Sequence, residues 1–224
     1  QMIPTTELKS CRLCGSPNLD LLLDYGMMPM AGGFVKAGDE RAGWKAPLRL
    51  GLCSSCRLMQ TLDTVNPDFI FTAYTYRTGS SGELVKHFER LADDIHDMVK
   101  GTDSPLIVDI GCNDGTLIKA LEEKIPGARL VGIDPSDVAL EAAQWGTWSL
   151  LNSYATPNVA KRLVDLFGLA DIVVCCNVLA HTDHIHTMVE SAAMMLKRSG
   201  TFIVEVQRQA DTVNKVQFDT VYHE

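Results

Sequence analysis

The sequence has no long apolar segment and no excess of positive charge. No run of 18 apolar residues occurs, which predicts no transmembrane helix, and residues 1–5 lack the basic and then apolar pattern of a secretory signal. Lysine and arginine number 20 against 28 aspartate and glutamate residues, so the net charge is -8. This balance disfavours nucleic acid or an anionic membrane as the main partner. We expect a cytoplasmic, monomeric protein that acts on a small molecule.

Seven cysteines, an odd number, fit a disulfide framework poorly. Four of them form two C-x-x-C pairs, Cys11 with Cys14 and Cys53 with Cys56. Each pair can direct two thiolates at one ion, and four sulfur ligands make a closed tetrahedral zinc site. A closed site stabilises a fold and does not activate water, so we interpret it as structural, with rubredoxin-type iron as the alternative. The methionines between the pairs, such as Met27, are expected to fill the core.

An apolar strand runs into a turn bounded by Gly111 and Gly115, and a helical pattern follows. Glycine at these positions allows a positive φ or a close approach of the backbone to a ligand. A dinucleotide fingerprint has a second glycine where Asn113 stands, so nicotinamide and flavin are disfavoured. Asp109 and Asp134, at the ends of successive predicted strands, offer carboxylates to a cationic amino acid and a ribose diol. The pattern predicts an S-adenosylmethionine (SAM) site; the alternative is a turn of this type that binds no ligand.

Strands and helices alternate from residue 105 onward, over 106–112, 116–125, 129–134, 136–144, 148–152, 156–167, 171–177, 184–197 and 201–207. Such alternation predicts an α/β, doubly wound, mostly parallel sheet of the SAM-methyltransferase (Rossmann-like) class, with the first strand beside the fourth. Ligands bind beyond the carboxyl ends of such strands. The cofactor residues predicted there are Asp109, Gly111, Asn113, Gly115, Asp134, Asn152, Ser153 and Asn177. For Asn152 and Ser153 a helix-capping role is the alternative.

The chain divides into three predicted parts. Residues 1–72 form the zinc-binding domain, 73–104 an active-site loop with a connecting helix, and 105–224 the SAM-binding methyltransferase domain. The helix over 83–99 carries His87, which we expect to be solvated or packed and not a ligand. Tyr76 in the loop, His181 after the fourth strand and the terminal Tyr222 with Glu224 are candidates for chemistry. Each also has a structural interpretation, as a packed strand residue or as part of a frayed terminus.

Five motifs together resemble one family. They are the two C-x-x-C pairs, Tyr74-x-Tyr76 with His87 after it, the turn from Asp109 to Gly115, the segment Asn177-Val-Leu-Ala-His181, and Phe218-Asp-x-x-Tyr222-His223-Glu224. The chain resembles the SAM-dependent sugar C-methyltransferases of deoxysugar biosynthesis, above all the dTDP-sugar C-3 methyltransferases of tetronitrose and kijanose type. In that family a zinc domain precedes the SAM domain, and a third, C-terminal domain helps to hold the sugar nucleotide.

The resemblance implies that Tyr76, His181, Tyr222 and Glu224 belong to the active site. It implies methylation at C-3 of a dTDP-linked 4-keto, 3-amino deoxysugar through an enolate. The family motif continues past Glu224 to a second histidine, which the resemblance implies is the base, and the family's sheet has seven strands, so we expect this chain to lack the family's C-terminal part. A separate departure, at Thr78-Gly79 where the family often has Ser-Ser, bears on the sugar contacts. Two other hypotheses stand beside this one: O- or N-methylation of another small molecule with His181 as the base, and a non-catalytic binding module.

Overall fold

The computed structural model describes residues 2–31, 36–39, 43–71 and 75–223, except for the side chain of Asp219. These residues cluster into two compact units. The first unit comprises residues up to 71 together with 180–185 and the residues from 207 onward; the second comprises 72–179 and 186–206. Segments that the sequence analysis assigned to the methyltransferase domain therefore cluster with the cysteine-containing unit.

The strands, in chain order, are β1 (Thr5–Glu7), β2 (Leu19–Pro29), β3 (Lys45–Cys53), β4 (Met59–Thr61), β5 (Asp63–Val65), β6 (Leu106–Ile110), β7 (Arg129–Ile133), β8 (Ser149–Leu151), β9 (Ala170–Cys176) and β10 (Leu196–Glu205). The helices are α1 (Pro67–Phe71), α2 (Gly82–Met98), α3 (Thr116–Lys124), α4 (Asp137–Ala143), α5 (Pro157–Phe167), α6 (Ile185–Met195) and α7 (Gln209–Asn214). None of these described helices is long and apolar enough to cross a membrane.

The first unit contains two small antiparallel sheets. Strand β3 lies between β2 and β4, while β1 pairs with β5. Because β3 is central, its alternate residues Ala46, Leu48 and Leu50 are buried. Strand β2 lies at the edge, and the side chains of Met27 and Met28 are exposed. The expectation that these two methionines fill the core is therefore wrong, because an edge strand of a small sheet has one partner and little to pack against.

The second unit is a five-stranded parallel sheet in the order β10-β9-β6-β7-β8. The pairing of β6 with β9 confirms the predicted position of the first strand beside the fourth. All five residues of β6 are buried, as expected for a strand covered on both faces. Ile107 packs in a core with residues of α2 and α3, whereas Val108 packs on the other face with residues of α5 and α6.

Element boundaries agree closely with the sequence analysis except at the last strand. We expected a helix to residue 197 and a strand from 201, but α6 ends at Met195 and β10 begins at Leu196. The pairing of β10 with β9 shifts register between Leu196 and Thr201. A side chain at Gly200 would lie 3.0 Å from the Ala170 carbonyl oxygen, so the irregular stretch passes close to the neighbouring strand. Periodicity alone does not reveal such a bulge.

Candidate functional site

The four cysteines of the C-x-x-C pairs come together in the first unit, with all sulfur atoms within 4.8 Å of one another. Cys11 Sγ lies 3.6 Å from Cys56 Sγ, and Cys14 Sγ lies 3.6 Å from Cys53 Sγ. A disulfide bond is about 2 Å long. Sulfur ligands placed tetrahedrally at about 2.3 Å from zinc are about 3.8 Å apart. The donor set and its spacing therefore fit a closed zinc site.

The two cysteine turns share one backbone geometry. The residue after each second cysteine, Gly15 or Arg57, has a left-handed φ of 71° or 66°. Its N–H donates to the carbonyl of the first cysteine, at 2.9 Å for Gly15 to Cys11 and 2.8 Å for Arg57 to Cys53. Glycine adopts this conformation without strain, while Arg57 does so at some cost. Two matching turns thus direct both thiol pairs toward one point.

The electrostatics of the cluster favour a cation. Burial raises the pKa of the Cys11 thiol, but the Cys14 N–H and the Gln60 amide, which donates to Cys11 Sγ at 3.2 Å, lower it to about 6. The Leu58 N–H lowers the pKa of Cys56, but burial and the other three cysteines raise it to about 12. Four thiols this close cannot all ionise unless a positive charge lies among them, and metal binding supplies that charge.

Arg12, inside the first cysteine turn, connects the cluster to the segment that contains His181. Its side chain is 9% exposed, and its Nε donates to the Asp183 carboxylate. The guanidinium also donates to the Thr61 carbonyl at 2.5 Å and to Thr64 Oγ1 at 2.8 Å, and Thr64 donates in turn to Asp183 at 3.0 Å. His181 lies two residues before Asp183, in a 3-10 turn, and belongs to the first unit.

The end of the described chain is anchored in the first unit. His223 is buried, and its Nε2–H donates to the Ala46 carbonyl oxygen at 3.1 Å. Burial lowers the pKa of His223 from its ordinary value, against the opposing effects of that carbonyl and Asp63. Tyr222 beside it is 46% exposed. Residues up to 223 are therefore held and not frayed, while Glu224 lies outside the described residues.

The predicted cofactor turn lies in the second unit at the carboxyl end of β6. Gly111 and Gly115 both have a φ of 73°, which confirms the conformation expected of them. A Cβ at Gly111 would lie 2.2 Å from Val178 Cγ2, and one at Gly115 would lie 3.1 Å from the Trp148 ring. Both glycines are thus required by backbone conformation and by close packing, independently of any ligand.

Two buried carboxylates face this turn. Asp109 and Asp134 are 5% and 7% exposed, and burial together with the charge of Asp134 raises the pKa of Asp109 to about 8. Asp134 accepts hydrogen bonds from the Asn113 N–H at 2.9 Å and from the Ser136 N–H and hydroxyl at 2.8 and 2.5 Å. A cation beside the pair would stabilise ionised Asp109. The site therefore fits the sulfonium and ammonium of SAM.

Asn152, another predicted cofactor residue, has structural partners. Asn152 donates to the carbonyls of Asp134 and Ser136, at 2.9 and 3.2 Å, and so orders the loop after β7. The N-cap of α5 is Thr156, whose hydroxyl accepts from the Val159 N–H, so capping by Asn152 or Ser153 is wrong. The ribose contact predicted for Asp134 and the contacts of Asn152, Ser153 and Asn177 with SAM stay predictions.

Asn113 and Asp114 contact the loop that carries Tyr76. Asn113 Nδ2 donates to the Tyr76 carbonyl at 3.1 Å, and its Oδ1 accepts from the Thr78 N–H at 3.0 Å. Asp114 accepts from the Gly79 N–H at 2.9 Å. The Tyr76 side chain itself is 46% exposed. The structure thus joins a predicted catalytic residue to the predicted cofactor turn within one unit.

The sequence analysis missed a polar cluster at the same edge of the sheet. His87 Nε2 lies 2.5 Å from Glu205 Oε2, although the two residues are 118 positions apart, and Asn177 Nδ2 donates to the other Glu205 oxygen at 2.9 Å. Glu205 ends β10 just as Asn177 follows β9. Ligands bind beyond the carboxyl ends of parallel strands, and applying this rule to the last strand would have identified Glu205. No spacing pattern pairs it with His87.

Comparison with known proteins gives two separate family matches, one that contains the cysteine cluster and one that contains the predicted SAM turn. Residues 11–71 match a family model described as a zinc binding domain, and residues 108–202 match one described as a methyltransferase domain. C-methyltransferase NovU of Streptomyces niveus is 29% identical over 219 residues, which cover 97% of this chain and 51% of that protein. The chain is thus similar to a C-methyltransferase over nearly its whole length. The cofactors expected of this chain, SAM and structural zinc, agree with both domain matches.

Two other similar proteins each match part of the chain. Ribosomal RNA large subunit methyltransferase E of Zymomonas mobilis is 32% identical over 144 residues, which cover 58% of this chain and 60% of that protein. A SAM-dependent methyltransferase from Archaeoglobus fulgidus has a solved structure with a TM-score of 0.49 and 18% identity, covering 60% of this chain and 58% of that one. The chain spans about half the length of the curated relatives it matches.

Proposed function

We propose that the protein is a SAM-dependent C-methyltransferase that adds a methyl group to C-3 of a dTDP-linked 4-keto, 3-amino deoxysugar in the cytoplasm. The observation that carries the proposal is the similarity to a C-methyltransferase over 97% of this chain, which includes the cysteine cluster as well as the SAM turn. The general methyltransferase assignment follows from the domain match and the carboxylate pair. The sugar, the carbon and the nucleotide come from the family resemblance.

The chemistry needs an acidic carbon beside a carbonyl. Removal of the C-3 proton next to the 4-keto group leaves an enolate, and its C-3 carbon attacks the methyl group. Bound SAM would supply that methyl group as an electrophile, with its sulfur–methyl bond broken and S-adenosylhomocysteine as the leaving group. Hydrogen-bond donors at the enolate oxygen lower the barrier to proton removal. In this proposal Tyr76 and Tyr222 donate to that oxygen, His181 lines the site, and Glu224 orients the base.

The exposure of Tyr76 and Tyr222 supports their proposed role as hydrogen-bond donors to a bound substrate. Tyr76 and Tyr222 each expose 46% of their surface, whereas His223 between Tyr222 and Glu224 is buried and bonded to Ala46. These two neighbouring side chains therefore differ: the buried His223 anchors the segment, and the exposed Tyr222 can contact a substrate. We therefore assign His223 a structural role and Tyr222 a substrate-side role.

The test is incubation of the protein with SAM carrying a ¹³C-labelled methyl group and a dTDP-linked 3-amino-4-keto deoxysugar. The proposal predicts a new methyl group bonded to carbon at C-3 in the NMR spectrum, and exchange of the C-3 proton with deuterium from the solvent. A methyl group on oxygen or nitrogen would instead favour the O- or N-methyltransferase hypothesis. Absence of S-adenosylhomocysteine (SAH) binding by calorimetry would overturn the SAM dependence itself and favour a non-catalytic module.

A further inference from the structure

The Asn113 side chain binds the Tyr76 loop as a neighbouring strand would. Its amide donates to the carbonyl of residue 76 and accepts from the N–H of residue 78, with distances of 3.1 and 3.0 Å. The Thr78 hydroxyl lies 3.3 Å from the same Oδ1 atom. Using both amide atoms on one stretch of backbone fixes its position and its orientation, which a single hydrogen bond does not.

The backbone of Asn113 is itself held. The residue is 9% exposed and has a φ of 47°, a left-handed conformation that asparagine tolerates better than most residues. Its N–H donates to the buried Asp134 carboxylate at 2.9 Å. The next residue, Asp114, adds the bond to the Gly79 N–H at 2.9 Å. Three hydrogen bonds from two consecutive turn residues therefore reach the backbone at 76, 78 and 79.

We propose that Asn113 is a positioning residue which couples the SAM turn to the Tyr76 loop, in place of the cofactor contact predicted for its side chain. SAM bound at the turn holds residues 111–115 in one conformation, and the Asn113 amide transmits that order to the backbone of Tyr76. The acceptor side of the site is then completed after the cofactor has bound. This inference rests on the proposed SAM-dependent function.

Coupling of this kind is reciprocal. If SAM stabilises the ordered loop, then the ordered loop strengthens SAM binding by the same factor. The two effects therefore have the same size, and amide exchange reports the loop itself. Backbone exchange of the loop amides is therefore the sensitive measurement, and it needs no knowledge of the acceptor.

The experiment is hydrogen exchange of residues 75–80, followed by mass spectrometry with and without SAH. In the wild type we expect SAH to slow exchange of the Thr78 and Gly79 amides about threefold. Asn113→Asp preserves shape but places an oxygen against the Tyr76 carbonyl. This variant should bind SAH within about threefold of the wild type while its loop exchanges fast and no longer responds to SAH. Asn158→Asp, the same change at an exposed residue of α5, is the matched control and should behave as wild type.

The outcomes separate the inference from the proposed function. No SAH binding by the wild type overturns SAM dependence and with it the coupling. If Asn113→Asp binds SAH and its loop is protected as in the wild type, the coupling alone is overturned. The coupling is also overturned if this variant loses SAH binding while its loop exchanges as in the wild type, a result that would make Asn113 a cofactor ligand. If Asn113→Asp does not fold, Asp114→Asn should show a smaller loss of SAH-dependent protection at Gly79. With the acceptor present, Asn113→Asp should lower kcat at least tenfold and change the KM for SAM by less than threefold.

Discussion

The guanidinium of Arg12 donates to the carboxylate of Asp183, and so joins the first cysteine turn to a segment 171 residues further along the chain. The Arg12 side chain is 9% exposed and that of Asp183 is 33% exposed. Because Arg12 lies between two zinc-binding cysteines and Asp183 lies two residues after His181, folding of the cysteine turn and placement of the His181 segment depend on one another.

Arg12→Ala should therefore destabilise the protein. Breaking a buried ion pair costs about 3–5 kcal/mol, and partial exposure of Asp183 reduces that to about 1–3 kcal/mol. Urea unfolding monitored by circular dichroism measures the loss. Arg208→Ala is the control, since Arg208 pairs with Asp211 at the surface and its loss should destabilise the protein much less. Equal losses in the two variants would contradict a buried role for Arg12.

Cys53→Ser should remove zinc and unfold the first unit, since metal binding and folding of a small four-cysteine domain are one equilibrium. The sheet of the second unit should keep its circular dichroism signal. Atomic absorption gives the zinc content, and thermal unfolding gives the stability. Cys176→Ser, outside the cluster, should retain one zinc ion per chain. A Cys53→Ser protein with one zinc ion and an unchanged Tm would refute the structural site.

Binding of SAM should release close to one proton at pH 7. The pKa of Asp109 is raised to about 8 by burial and by Asp134, so the carboxyl is mostly protonated in the free protein, and a cationic ligand favours its ionised form. Affinity should therefore increase as pH rises from 6 to 8, by up to about tenfold per unit. Calorimetry in buffers of different ionisation enthalpy measures the release. Asp109→Asn should abolish it; release that persists in this variant would place the proton elsewhere.

His223 should make stability depend on pH below neutrality. Burial lowers its pKa in the folded state below the value of 6.5 expected when unfolded, so the unfolded chain binds more protons. Its stabilising contribution is present above pH 6.5 and is lost as pH falls through the folded pKa. The difference in unfolding free energy between wild type and His223→Gln should shrink from pH 7.5 to 5.5, and taking the difference cancels the contribution of Asp109. A constant difference would contradict the burial of a neutral imidazole.

Tyr222→Phe should slow catalysis and leave SAM binding unchanged, because it removes a hydroxyl from an exposed ring without altering ring volume. Loss of one donor to a developing oxyanion costs about 2–4 kcal/mol of barrier. The measurements are kcat for methyl transfer and the rate of deuterium exchange at C-3. Wild-type rates for both would make Tyr222 a packing residue and leave Tyr76 and His181 as the candidates.

Local patterns in the sequence were enough to predict much of the second unit. Apolar periodicity placed its strands and helices, and the spacing of glycines and acids placed the SAM turn at a strand end. The reason is that helix and strand periods, turn conformation and strand-end position depend on residues close together in the chain. The two C-x-x-C pairs were also predictable from local sequence, because each turn is local and zinc accepts four sulfur ligands from any part of the chain.

Contacts between residues distant in sequence were decided only by the tertiary structure. His87 meets Glu205, Arg12 meets Asp183 and His223 meets Ala46, and no spacing rule relates the members of these pairs. The same holds for Asn113, whose residue type fits a cofactor contact equally well until the loop beside it is seen. Sequence alone determined which segments carry the four thiols and the glycine-bounded turn, and the chemistry that each could hold. Packing decided which side chains face each other, because a polar group that is removed from water takes the partner that the fold places within reach.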